Sequence, residues 1–185
     1  MRCWILGGVV FQSTGNFNEI IDWEVISRLN NIYGHDLNIG KDVFPVFMKE
    51  YNRFTHQQLK GQVFLKNVFD ILQINQELID LLSAFYPLVI VSDNYRENIT
   101  YIAERYQFAS WSEKQIYSFD YGMVKGDPRF FAQLLQETSY ETANLIFIDD
   151  SIEKIKSAAA HGILGIHYVN NTQLRKELTQ VQDSY

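Results

Sequence analysis

Two apolar runs of this sequence end in groups that could do chemistry, and a loop supplies a third set. "PLVIVSD" closes on Ser92 and Asp93 with Asn94 next, "NLIFIDD" closes on Asp149 and Asp150, and "GMVKGDP" carries Lys125 and Asp127. A bare carboxylate at the end of a strongly apolar strand is costly unless it is paired. Lys125 is the obvious cation for Asp149, as a working pair or as one left over from a lost site. A fourth segment, "RCWILGGVVFQS", opens the chain and passes through Ile5, Leu6, Gly7 and Gly8 with neither acid nor hydroxyl. Continuous apolar runs of this kind are buried on both faces of a parallel sheet. Ligands of such sheets gather at the carboxyl ends of the strands, so the four segments are expected to meet at one edge.

Stepping from residues to elements, residues 3–11 read as a buried strand. Asn16 with Glu19 three residues on has the spacing of a capping box. It predicts a helix through about Leu29, with Ile21, Val25 and Leu29 on one face and Gly34 ending the segment. A second helix is expected from about Asp42, with Phe44, Phe47, Met48 and Tyr51 on one face. Two more are expected around Val63–Leu72 and Gln76–Phe85, which makes residues 15–82 helical with no strand among them. From Tyr86 onward the rhythm becomes strand–helix alternation: strands at 87–93, 115–119, 144–150 and 164–169. The intervening helices open at Asn94 with Glu97, at Asp127-Pro128 and at Asp150 with Glu153. The last of these stops at His161-Gly162, and a closing polar helix starts at Asn171. The fold class is therefore α/β: a parallel sheet core with helices on both faces, formed by 1–14 and 83–185, interrupted by a helical insert over 15–82.

Several of the same residues have plainer readings. Asn94, Asp127 and Asp150 are each explained by helix capping alone. Asp93 as a relocated nucleophile is disfavoured because it lies on a neighbouring strand. Cys3 reads as a small buried apolar residue, His161 as a favourable charge at a helix C-terminus, and His35, His56 and His167 show no ligand spacing. The aromatic crowd from Phe44 to Phe69 reads as core packing, with an aromatic ligand pocket as the alternative.

The order and chemistry of the four segments resemble the haloacid dehalogenase (HAD) superfamily, in particular its phosphatase-like members with a helical cap inserted after the first strand. "ILGGVVF" is similar to the first motif of that superfamily, "IVSDN" to its Ser/Thr motif, "GMVKGDPRFF" to its lysine motif and "LIFIDDSIEKIKSAAAHGILGIHY" to its acidic motif. The resemblance covers essentially the whole chain, and "VKGDP" and "FIDDS" are its specific parts. It implies a sheet core of Rossmannoid type and an aspartyl-phosphate reaction in which a second acid, two residues after the nucleophile, protonates the leaving group. It further implies Ser92, with Asp93 and Asn94, at the phosphate, Lys125 as phosphate or nucleophile clamp, and Asp149 as Mg²⁺ ligand with Asp150 as a direct or water-mediated helper.

The departures fall at the reacting positions. The nucleophile position is Ile5 and the second-acid position is Gly7. Glycine occurs at the latter in some relatives, but an alkyl group at the former has no lone pair to attack phosphorus and no oxygen for a metal. By analogy with triad enzymes, deleting a nucleophile costs on the order of 10⁶ in rate. Mg²⁺ wants about six oxygens, usually with one or two carboxylates among them, so Asp149 and Asp150 are expected to hold it weakly.

Three readings follow. The first is a catalytically degenerate member that works in binding or regulation, keeping a phosphate and Mg²⁺-type site for a small phosphorylated molecule or inorganic phosphate. The second is a hydrolase of weak or altered activity using Asp149, Asp150 or Asp93 with a metal-activated water. The third is an interaction protein acting through its aromatic-rich insert. The composition fits a soluble globular chain, with 46% apolar and 21% charged residues. The net charge of −6 argues against nucleic acid or an anionic membrane as partner. No apolar run approaches the roughly 20 residues of a membrane helix. One cysteine allows no internal disulfide. Without the layout of a signal peptide, cytoplasmic residence is expected.

Overall fold

The computed structural model describes the backbone of residues 2–5, 7–13, 20–84, 87–138 and 140–182. Side chains are described for 9–12, 20–84, 87–138 and 140–181. The chain begins with β1 (Arg2–Ile5), a single helical turn α1 (Gly7–Val10) and β2 (Phe11–Ser13). Three helices follow, α2 (Trp23–Asn38), α3 (Phe44–Thr55) and α4 (Gly61–Phe69), then β3 (Leu72–Ile74) and α5 (Gln76–Ser83). The remainder alternates: β4 (Leu88–Ser92), α6 (Arg96–Tyr106), β5 (Lys114–Tyr117), α7 (Ser118–Tyr121), α8 (Pro128–Thr138), β6 (Leu145–Asp149), α9 (Ile152–Ala159), β7 (Leu164–His167) and α10 (Asn171–Gln182).

The main sheet is parallel, in the order β5-β4-β1-β6-β7. The chain winds outward from β1 through β4 to β5, then returns to the other side of β1 for β6 and β7. That reversal is where open sheets of this kind bind ligands. β4 and β6 are buried at every position, as their unbroken apolar sequences require. The apolar residues of β6 all join one core, while those of β4 divide between two because successive residues of a strand face opposite ways. Val89 and Val91 pack with residues of α5, α8, α9 and α10. Ile90 between them packs with α6 and with the aromatic residues of α2–α4, among them Phe47, Tyr51 and Phe64. The aromatic crowd is thus core: Phe47 and Tyr51 are fully buried, and their rings meet that of Phe64 edge-on at 5.8 and 4.8 Å.

The sheet edges and helix ends differ from expectation in ways with local causes. Residues 3–11 are a strand, a helical turn and a second strand, because Gly7 and Gly8 begin the turn. The expected Asn16–Glu19 cap lies outside the described residues. α2 is instead capped by Asp22, whose Oδ1 accepts a hydrogen bond from the Val25 N–H at 3.0 Å. It runs through Gly34, since fully buried Leu37 anchors the turn beyond. The helix expected to reach Leu72 stops at Phe69, and Leu72–Ile74 is a strand antiparallel to β2. There the Tyr106 hydroxyl donates to the Leu72 carbonyl at 2.8 Å, and Asp70 pairs with Lys66 and Arg105, tying this segment to α6.

Asn94 is not the cap of α6, which starts two residues later. Its Oδ1 accepts from the Tyr95 N–H and the Asn98 side chain, both at 2.9 Å. Asp150 is not the cap of α9 either: Ser151 holds that position, its hydroxyl bonded to Glu153 at 3.0 Å. Asp127 does cap its helix, accepting from the Arg129 N–H at 2.9 Å ahead of Pro128. Gly162 follows α9 with φ +76° and Gly165 sits under it, where an added Cβ would come within 2.6 Å of an Ile155 methyl. Among the described residues no helix is long and apolar enough to cross a membrane.

Candidate anion and metal site

The carboxyl ends of β4, β1 and β6 lie side by side. Ile5 stands in register with Ile90 on one side and Ile148 on the other. It is therefore two residues short of Ser92 along β4 and one short of Asp149 along β6. The side chains of Ile5 and Gly7 lie outside the described residues, but their chemistry is set by their identity: one is an alkyl group, the other a hydrogen.

Asp149 is fully buried at the end of β6. Its Oδ1 accepts the Ser151 N–H at 2.8 Å, while Oδ2 has no hydrogen-bond partner. The Lys125 ammonium is 4.0 Å from that oxygen, too far for a hydrogen bond and close enough for a strong Coulomb attraction in a low-dielectric site. Lys125 is itself 2% exposed and donates from Nζ to the Val91 carbonyl at 3.3 Å. The expected partnership of these two residues is therefore present in the fold. Burial pushes the Asp149 carboxyl above the ordinary range, opposed chiefly by Lys125. Burial likewise pushes the Lys125 ammonium down, opposed by Asp93 and more weakly by Asp149.

Asp93 is tied on both sides. Its Oδ1 accepts the Lys125 backbone N–H at 2.8 Å, and its Oδ2 faces the Lys154 ammonium at 3.3 Å. This is the posture of a residue that positions the lysine loop, with neither oxygen free for attack. Lys154 was not foreseen from the sequence. One signal was available: it is a cation in the first turn of a helix, where the dipole disfavours it, so a nearby anion should be holding it. Ser118, fully buried, was also missed. It bridges to the same loop, its Oγ accepting the Asn94 N–H at 3.2 Å, and nothing in the weak strand before it marks it out.

Ser92 lies at the end of β4, 3% exposed, beside the apolar residues Ile90, Ile99 and Phe108, and Asp93 next to it in sequence joins Lys125, Lys154 and Asp149 in one neighbourhood. The Asp150 residue is exposed, and its backbone carbonyl accepts the His167 Nε2–H at 3.0 Å. Beside the site a cleft of about 500 Å³ opens between α2 and the loop after β4, lined by Asn30, His35 and Asn38 against Asp93, Asn94 and Val124.

The arrangement bears on a divalent cation through one atom. A fully buried carboxylate oxygen without a partner is what such an ion uses, and Mg²⁺ is commonly held by one or two carboxylates, with waters and phosphate oxygens completing the shell. Asp149 Oδ2 fits that role. Among the described residues no group of three or more His, Cys, Asp or Glu is placed to hold a metal.

The sequence matches the haloacid dehalogenase-like hydrolase family over residues 16–167, a stretch that begins after Ile5 and Gly7. A sesquiterpene phosphatase of Aspergillus oryzae is 33% identical over 60 residues, 32% of this chain and 31% of that protein. The fold is similar to that of a HAD family enzyme from Bacteroides thetaiotaomicron, with a TM-score of 0.75, 17% identity, and coverage of 92% of this chain and 94% of the other. It is equally similar to a HAD-like hydrolase from Porphyromonas gingivalis, with a TM-score of 0.75, 18% identity and 98% of both chains covered. A variant of the Bacteroides enzyme in which one aspartate is replaced by alanine, in complex with magnesium and inorganic phosphate, matches with a TM-score of 0.70, 16% identity, and 94% of this chain and 98% of the other covered.

Proposed function

The chain belongs to the haloacid dehalogenase-like hydrolases, and from that premise we propose that it binds a phosphorylated small molecule or inorganic phosphate at the ends of β4, β1 and β6 without performing aspartyl-phosphate chemistry. The observation that carries this reading is the residue at the tip of the central strand. Ile5, flanked by the strands of Ser92 and Asp149, brings no nucleophile to the place between them. Covalent transfer requires an electron pair there, and no neighbouring acid replaces it. Asp93 has both oxygens engaged, and Asp149 is the oxygen donor suited to a cation.

What the site keeps is the apparatus for an anion. Ser92 offers a hydroxyl, and Lys125 and Lys154 offer ammonium groups. Asp93 fixes the Lys125 backbone, so the lysine loop is held whether or not a ligand is present. Mg²⁺, when bound at Asp149, would supply the positive charge that draws and orients phosphoryl oxygens. The Bacteroides neighbour gives this reading a precedent, since it holds magnesium and inorganic phosphate after one of its aspartates has been changed to alanine. The cleft lined by Asn30, His35 and Asn38 is where the remainder of a phosphorylated ligand would lie.

A second reading, hydrolysis by a water activated at a metal on Asp149, is favoured by one observation: Lys125 and Asp149 remain paired at an unpartnered carboxylate oxygen. Restoration distinguishes the two. We expect the native chain to release no phosphate from an aryl phosphate above background in the presence of Mg²⁺. Ile5→Asp together with Gly7→Asp is expected to gain magnesium-dependent turnover of at least about 10³-fold, a fraction of what a nucleophile is worth. Native turnover abolished by Asp149→Asn would establish the hydrolytic reading instead.

A further inference from the structure

The site is short of buried carboxylate oxygens and has no surplus of positive charge, and the two facts together constrain how it fills. Asp149 has one free oxygen, Oδ2, and spends the other on the Ser151 N–H. Asp93 has none free, because the Lys125 N–H and the Lys154 ammonium take both. Positions 5 and 7 supply none from their side chains. A Mg²⁺ ion arriving alone would find one buried carboxylate oxygen, with the exposed Asp150 carboxyl beside Asp149 and a buried ammonium 4.0 Å from that same oxygen to repel it. It would have to draw the rest of its octahedral shell from water.

An anion arriving alone fares no better. Lys125 faces Asp149, Lys154 faces Asp93, and the Asp150 carboxylate also acts on Lys125, so the two cations are more than offset and no net positive charge waits for a phosphate. When both arrive, each supplies what the other lacks. Phosphate oxygens complete the metal's shell, and the dication provides the excess positive charge.

We propose that this chain takes up Mg²⁺ and phosphate only as a pair, with Asp149 anchoring the metal, Lys125 and Lys154 facing the anion, and the absent oxygens at Ile5 and Gly7 making each ligand depend on the other. The proposal rests on the phosphate-binding reading given above. Binding linkage then demands symmetry: whatever factor Mg²⁺ adds to phosphate affinity, phosphate must add to Mg²⁺ affinity.

Calorimetric titration of the full chain tests this, with inorganic phosphate titrated in chelator and in saturating Mg²⁺, and Mg²⁺ titrated with and without phosphate. We expect each ligand to tighten the other by at least about tenfold, well inside the usual range of coupling. Phosphate binding of equal strength in chelator, or Mg²⁺ binding unchanged by phosphate, overturns the pairing and leaves the phosphate-binding reading standing. Heat of binding absent in every arm overturns both. In Asp149→Asn the coupling should fall to about one, since the metal loses its anchor while the lysines remain; coupling retained in that variant also overturns the proposal. Ile5→Asp, if folded by circular dichroism, should bind Mg²⁺ without phosphate, and failure of the folded variant to do so counts against the role given to Ile5.

Discussion

Lys125 and Asp149 bury opposite charges in the same pocket, and what each does for stability depends on pH. Asp149 titrates higher in the folded chain than in the unfolded one, with burial the main cause. A carboxyl shifted upward contributes its stability below the unfolded value and loses it as pH rises through the folded one. Removing the ammonium with Lys125→Met takes away the chief influence that holds this shift down. The loss of stability in that variant is therefore expected to be larger at pH 8 than at pH 5, by about 1.4 kcal/mol for each further unit of upward shift, on top of the usual cost of breaking a buried pair, about 3–5 kcal/mol. Urea titrations in chelator at the two pH values measure it, and equal losses at both would contradict it. Ser92 and Asp149 stood out in the sequence because each ends an unbroken apolar run, and Lys125 because a buried carboxylate needs a cation. Lys154 did not, because the anion that holds it, Asp93, lies 61 positions earlier, just past β4.

At the level of elements, unbroken apolar runs gave β4 and β6 to within a residue or two, since burial on both faces leaves few alternatives to a parallel strand. Short elements escaped for the converse reason. Leu72–Ile74 is a strand only through its pairing with Phe11–Ser13, a partner about 60 residues away that no local periodicity reveals. The caps of α6 and α9 fall one residue later than Asn94 and Asp150, at Tyr95 and Ser151, and neither makes a side-chain cap bond to the helix. One element contact was invisible until α9 and β7 were seen together: Gly165 lies against Ile155 with no room for a methyl group. Gly165→Ala is expected to destabilise the chain by about 1–3 kcal/mol through overpacking, although alanine suits a strand no worse than glycine does. Thermal denaturation checks this, and Gly165→Ala paired with Ile155→Ala, which removes the clashing Cγ2, should lose less than the sum of the two single changes.

Across the whole molecule, the sequence suggested a division into a core of 1–14 with 83–185 and an insert of 15–82. One apolar cluster spans both parts. Ile90, Ile99, Ile102 and Phe108 share one cluster with Leu29, Phe47, Tyr51 and Phe64, and the Leu72 carbonyl is bonded to Tyr106. Shared burial of this kind couples unfolding. We expect a single calorimetric transition whose calorimetric and van't Hoff enthalpies agree; two resolved transitions would show that the insert melts alone.

β1 lies in the middle of the sheet, bonded to β4 on one side and β6 on the other. Backbone ladders are blind to what the side chains carry, so the strand that brings a nucleophile to the centre of such a sheet is also the one whose replacement leaves its pairing intact. A lineage can thus surrender its reaction in one substitution without disturbing its architecture, and a single reversal starts from a scaffold that never had to be rebuilt.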